Sequence, residues 1–270
     1  MDVVDEVRAR GGVAVRSRLP RRPVDRAIRE GLLVVPSRGL VADPGLEPSV
    51  LGALSVGGVL SCASAALAHG IDLIDPPRSV HVTVPRSRHR RCGPPAGVVV
   101  HRRDAPTLDG ISTTLARTAA DCVRCLPRRD ALVVADQVLA RGVDLAEVLA
   151  HLTGRRGAPS RRVLEQASPL AGSSGETVGR VVLEDAGLRV QPQVFVPGVG
   201  FVDLLVEGRL VVEVDGFAYH SDARQFALDR RRDAALVSLG YLVVRFTWLD
   251  VVRRPQYVVA TVLAILARQR

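Results

Sequence analysis

The 270-residue chain contains no lysine, no asparagine and only four cysteines. Without lysine, no lysine side chain can serve as a catalytic group. All 37 basic residues are therefore arginine. Together with the missing asparagine this points to GC-rich coding, so part of the arginine excess is discounted as mutational drift. Cys62, Cys92, Cys122 and Cys125 are too few to staple a chain of this length with disulfides, which implies a reducing compartment. No apolar run reaches the roughly 20 residues needed to span a bilayer. The acidic start, with Asp2, Asp5 and Glu6, does not resemble a signal peptide. The expectation is a soluble cytoplasmic protein with no membrane partner.

What the sequence does contain is apolar mass and positive charge. Apolar residues make up 47%, enough for buried cores, and the length suits two or three domains. A formal charge of +9 and a pI near 10.7 favour a polyanionic partner such as DNA.

Residues 1–46 read as a winged helix-turn-helix. A short helix over 2–10 stops at Gly11-Gly12, and a second amphipathic stretch runs from Val24 to Gly31. Two apolar runs, 32–35 and 39–42, then suggest a hairpin. Arg22, Arg26 and Arg29 recur near helical spacing and could face phosphates or base edges. An ordinary solvated arginine face is the alternative.

Residues 47–152 form a second α/β unit. The pattern predicts one long helix over 50–69, strands over 80–85 and 97–101, and helices over 113–126, 128–141 and 144–152. The basic loop 86–91 reads either as a phosphate-contacting patch or as a solvated charge run. Cys122 and Cys125 lie in a helical stretch without a second Cys/His pair at ligand spacing, so they read as buried helix thiols rather than a zinc site. The segments Ser61-Cys62-Ala63-Ser64-Ala65-Ala66, His81-Val82-Thr83-Val84-Pro85 and Thr113 to Asp121 are similar to the antitoxin of type IV abortive-infection systems. With the winged start, that resemblance covers residues 1 to about 150 and implies operator DNA binding by the winged part.

Small, basic and helix-breaking residues over 153–172 read as a linker with a short helix near 160–167. From residue 173 the order becomes helix (174–186), strands (193–196, 199–206, 209–215), helix (223–239), strand (241–246) and a last helix (255–267). Trp248 is expected to pack in the core beside the last strand. This order predicts a mixed α/β fold of restriction-endonuclease type, a mixed sheet flanked by helices.

Asp203 and Glu213 lie on neighbouring strands joined by a turn at Gly208. A three-residue loop puts them on one face with Cβ atoms about 5–8 Å apart; a two-residue loop would put Asp203 opposite Val212 and break the site. Asp215 continues that face one period on. Converging carboxylates in a Val/Leu run suit an oxygen-seeking Mg²⁺ or Mn²⁺. A solvated acidic hairpin edge is the alternative reading.

The run Asp203, Glu213-Val214-Asp215-Gly216-Phe217-Ala218-Tyr219-His220, Asp229, Arg232-Asp233, Gly240-Tyr241 and Val244-Arg245 resembles the Vsr-like (very short patch repair endonuclease-like) family of the PD-(D/E)XK nucleases, over about 173–250. That resemblance implies metal ligation by Asp203 and Glu213, places Asp215 where the superfamily has lysine, and matches Glu176 to an acid of the first helix. It also matches His220 to the histidine that closes the Asp-Gly-aromatic-His stretch. His220, titrating near neutral pH, could act as acid or base, and Arg230 or Arg232 could offset pentavalent charge. The 229–233 run reads equally as intrahelical ion pairs. These observations set three expectations: a metal-dependent DNA endonuclease, a DNA-binding regulator of antitoxin type whose nuclease-like domain is inactive, or a protein-interaction module whose basic surface binds RNA. The oligomeric state is left open, a homodimer included.

Overall fold

The computed structural model describes residues 2–86, 95–103, 110–216 and 223–268, the side chains of 223–229 excepted. It is a mixed α/β protein with three separate sheets among the described residues. No helix among them is long and apolar enough to cross a membrane. The chain divides into two compact units, one of residues 1–126 with 144–161, the other of 127–143 with 162–270.

The first unit opens with α1 (Val3–Ala9), β1 (Val13–Val15), a 3-10 turn at Arg16–Arg18, α2 (Arg21–Arg29) and β2 (Leu40–Ala42). The strand pairing differs from the expected hairpin. β2 pairs antiparallel with β1, Val13 opposite Ala42, while Val34 makes only a single bridge to Ala42 on its other side. The ribbon is buried on both faces: Ala14 and Val41 pack with Val7, Leu19, Val24 and Leu33, and Val13, Leu40 and Ala42 pack towards the middle of the unit. Burial on both sides leaves no polar alternation for the sequence to display.

The single helix expected over 50–69 is in fact three elements: α3 (Pro48–Ser55), β3 (Val59–Leu60) and α4 (Cys62–Ala68). The break is set by tertiary packing. A Cβ on Gly58 would stand 2.4 Å from the Thr83 carbonyl oxygen, so only glycine lets the chain run this close to the neighbouring strand. That strand is β4 (Val80–Pro85), antiparallel to β3 and parallel to β5 (Val98–Arg103). Val82 and Val84 enter the core with Val50, Leu54 and Leu60. α5 (Leu115–Cys125) and α7 (Leu145–Ala150) complete the unit. Asp121 of α5, almost wholly buried, accepts from Arg117 at 3.0 Å, with Arg124 and Arg103 at 3.6 and 3.7 Å.

α6 (Arg128–Ala140), read from sequence inside the 47–152 segment, belongs to the second unit. α8 (Ala158–Leu164) occupies the stretch expected as a linker. α9 (Ser174–Asp185) follows, started by Ser173 Oγ accepting the Glu176 N–H. The sheet runs β6 (Val190–Val196), β7 (Gly200–Val206), β8 (Leu210–Asp215) and β9 (Leu242–Thr247), in that spatial order. The first two pairings are antiparallel; β8 and β9 are parallel, linked through α10 (Ala223–Ser238). Leu236 of α10 packs with Val202, Leu205 and Val211. α9 lies close to β7 and β8, because Gly175 and Gly179 leave room for Val214 and Leu204. α11 (Trp248–Arg253), which the sequence did not reveal, opens on a capping box between Thr247 and Asp250, and α12 (Pro255–Ala267) ends the fold. Trp248 is half-buried, its ring near Gly175.

Candidate active site

The β7–β8 connection spans 207–209, and the pairs Leu204–Val212, Leu205–Val211 and Val206–Leu210 fix an even register. Asp203 and Glu213 come next outward, opposite one another. The ladder stops here. On its other side β7 pairs at Val202 and Leu204 but not at Asp203, and the facing Gln193 takes φ 51°. In place of a ladder bond, the Val214 N–H donates to Asp203 Oδ2 at 2.9 Å. The carboxylate thereby sits in the gap where the central strands separate.

Asp203 and Glu213 share a hydrogen bond. Burial, then the charge of Asp203, pushes the Glu213 carboxyl up to about 7. Asp203 is also pushed up, chiefly by burial, against the pull of the Val214 N–H and Arg232. Two buried carboxylates this close disfavour double ionisation, so both are pushed up, Glu213 further by the Asp203 charge. Glu176 joins them from α9. Its Oε2 accepts from Gly172 N at 2.9 Å and from Gln193 Nε2 at 2.7 Å, and burial followed by the Asp203 charge raises its carboxyl.

Cations close the group from α10 and β9. Arg232 Nη2 lies 3.2 Å from Glu213 Oε1 and also donates to the Phe201 carbonyl. Arg245, paired in register with Glu213, reaches Asp215 at 3.2 Å and Asp233 at 2.8 Å. Burial alone would lower the Arg245 guanidinium, yet Asp233, Asp215 and Glu213 hold its pKa above the usual value. Arg230 is exposed, 3.8 Å from Asp233.

Of the residues singled out in sequence, the structure brings Asp203, Glu213, Glu176 and Arg232 together. Asp215 sits one period along the strand and is engaged by Arg245. His220 lies outside the described residues, as does Cys92 and most of the basic loop 86–91. Arg245 entered the sequence reading only through the family resemblance, without a role, and Gln193 was missed. The signals for them are parallel pairing of β9 on β8, and a polar residue facing the acid on the next strand.

Arg22, Arg26 and Arg29 are exposed on α2, with Arg26 bonded to Glu30 at 2.7 Å and Arg29 Nε donating to the Asp25 carbonyl oxygen at 3.3 Å. Asp25 also pairs with Arg16 and Arg21 at 2.5 and 3.7 Å, which partly offsets the positive face.

The reading of Cys122 and Cys125 as buried helix thiols holds for Cys122 alone. Cys125 is exposed at the end of α5, with His81 and His101 beside its sulfur. Those partners lie 44 and 24 residues away, a separation that no local spacing rule detects.

Sequence comparison extends this picture. The family REase_MTES_1575 matches residues 177–266, the segment that holds β6 to β9 and the acidic pair. The second unit thus carries a restriction-endonuclease-like domain, of nuclease type. Over 276 aligned residues the chain is 30% identical to MT2308 of Mycobacterium tuberculosis (strain CDC 1551 / Oshkosh), covering 93% of this chain and 99% of that protein. It belongs to the MT2308 family. Rv2248 of M. tuberculosis (strain ATCC 25618 / H37Rv), a member with the same identity and coverage, shares this span. The crystal structure of the RV2827C protein from M. tuberculosis is 19% identical, with a TM-score of 0.37 over 66% of this chain and 78% of that one.

Proposed function

We propose that this protein is a DNA endonuclease that hydrolyses phosphodiester bonds with a divalent metal ion, Mg²⁺ or Mn²⁺. The observation that carries the reading is the buried Asp203–Glu213 pair, held at the strand fork and joined by a hydrogen bond. A hard dication between them would relieve the repulsion, and the all-oxygen donor set fits such an ion. Asp203 and Glu213 would hold it, with Asp215 and Glu176 ordering the surrounding water. When bound, the ion would polarise a phosphoryl oxygen and acidify water. Arg232 and Arg245 would hold the phosphate charge against the acidic group, with Arg230 drawing the strand in from the surface. His220, five residues past Asp215, would donate or accept the proton near neutral pH. Arg22, Arg26 and Arg29 on α2 would grip DNA, in keeping with a winged helix built from α1, α2 and the β1–β2 ribbon.

One observation favours a second reading. Asp215, standing where related nucleases place lysine, is tied to Arg245, so no neutral base stands beside the pair among the described residues. A DNA-binding regulator of antitoxin type with an inactive nuclease-like domain follows from that. A plasmid-nicking assay with Mg²⁺ or Mn²⁺ separates the two. Nicking by wild type, lost in Asp203→Ala and Glu213→Ala while mobility-shift binding persists, supports the nuclease. Binding without cleavage under any divalent ion overturns it.

A further inference from the structure

A second donor group lies in the first unit, away from the carboxylates. One ligand atom from each of Cys62, His81, His101 and Cys125 lies within 4.8 Å of the other three. Four different elements deliver them: the start of α4, β4, β5 and the end of α5. His81 faces Val99 and Thr83 faces His101, so the two histidines are diagonal neighbours on one face of a parallel pair. Their rings stack with centroids 5.3 Å apart.

The spacing is that of a coordination shell. His81 Nδ1 lies 3.2 Å from His101 Nε2, and Cys125 Sγ lies 3.6 and 4.0 Å from those nitrogens. With Zn–N near 2.0–2.1 Å and Zn–S near 2.3 Å, a tetrahedron has edges of about 3.4 Å for N–N and about 3.6 Å for N–S. The observed distances lie within about 0.4 Å of those edges. Sulfur and imidazole donors in equal number select a borderline-soft ion, and two thiolates with two neutral imidazoles cancel a 2+ charge.

The backbone is arranged to hold the set. Cys62 takes φ 50°, a left-handed conformation that costs a non-glycine residue on the order of 1 kcal/mol. It is clasped from both sides by one strand residue, since the Ser61 N–H donates to the His81 carbonyl at 2.9 Å and the His81 N–H donates to Ser64 Oγ at 2.9 Å. Exposed Cys125 gives an ion a way in.

We propose that Cys62, His81, His101 and Cys125 bind one zinc ion in a closed, four-ligand structural site that ties α4 and α5 to the β4–β5 face. All four positions are taken by protein, which leaves none for a substrate or a reactive water. Cys122, in hydrogen-bond contact with Cys62, stays outside the shell.

The test is zinc content of the full chain purified without chelator, for wild type, Cys125→Ser, His101→Ala and the Asp203→Ala/Glu213→Ala double variant. The expected result is about one zinc per chain in wild type and in the double variant, with at least a tenfold fall in the other two. Cobalt added to stripped wild-type protein should give intense visible bands of a tetrahedral ion and a thiolate-to-metal charge-transfer band. This readout stands even where the single variants do not fold. Absence of both zinc and the cobalt spectrum overturns the site. So does zinc that follows the carboxylate variants instead, or a stoichiometric disulfide joining Cys62 to Cys122 or Cys125. Loss of nicking leaves these readouts untouched, and loss of zinc leaves the carboxylate reading standing.

Discussion

Arg180 places Nη2 2.9 Å from Asp136 Oδ2, with the two side chains 4% and 0% exposed. The pair joins α9 to α6, and Asp136 also accepts from Thr177 Oγ1 and the Ser168 N–H, both within 2.9 Å. Burial raises the Asp136 carboxyl despite the guanidinium beside it, a sign of strong desolvation. Removing one partner strands a charge without a counterion. Arg180→Met should lower unfolding free energy by about 3–5 kcal/mol, and adding Asp136→Leu should restore much of it. Urea denaturation of the single and double variants measures this. Equal loss in both would mean that packing, not charge, holds the helices.

The raised Glu213 carboxyl carries a pH signature. Its folded pKa of about 7 exceeds the unfolded value of 4.5, so the folded state binds the proton more tightly. The stability it contributes is whole below pH 4.5, declines as pH rises through 4.5 to 7, and is gone above. At pH 8 without divalent ions, Glu213→Gln should therefore be more stable than wild type by about 1–3 kcal/mol. Melting curves at pH 5 and pH 8 test this, with the gain confined to the higher pH. Millimolar Mg²⁺ should raise the wild-type melting temperature at pH 8 and leave the variant nearly unmoved.

Gly58 is a steric prediction. The Cβ of Gly58→Ala would meet the Thr83 carbonyl oxygen at 2.4 Å and Val82 Cγ1 at 2.5 Å, so β3 would have to leave β4. A loss of about 1–3 kcal/mol is expected. Gly52→Ala, with open space at the same position, should be near neutral or stabilising and serves as the control.

For α2, replacing Arg22, Arg26 and Arg29 by Gln should weaken DNA binding and flatten its salt dependence. Each phosphate charge that is no longer neutralised takes about 0.9 from the slope of log K against log salt. Fluorescence anisotropy at several salt concentrations reads the slope. An unchanged slope would remove α2 from the interface.

The acidic hairpin was legible because its information is local: a three-residue turn and a period of two place Asp203 and Glu213 opposite each other. α9 was legible for the same reason, with Ser173 before it and Gly187 after it. The break between α3 and α4 was not, since Ala, Gly and Ser carry no period and the reason for Gly58 lies on β4. Arg245 passed without a role because its meeting with Glu213 depends on which strands pair after a helical crossover. The Cys62, His81, His101 and Cys125 group was hidden by the same cause in stronger form, with four ligands on four elements.

The placement of α6 has a consequence for biosynthesis. Its buried run, Leu132 to Ala135 and Val138, rests on a helix that the ribosome makes only later. At about 5–20 residues per second, that apolar stripe waits a few seconds for its partner while residues 144–161 of the first unit are still being made. A nascent chain of this protein is thus most open to chaperone capture, or to sticking to other chains, between release of α6 and arrival of α9.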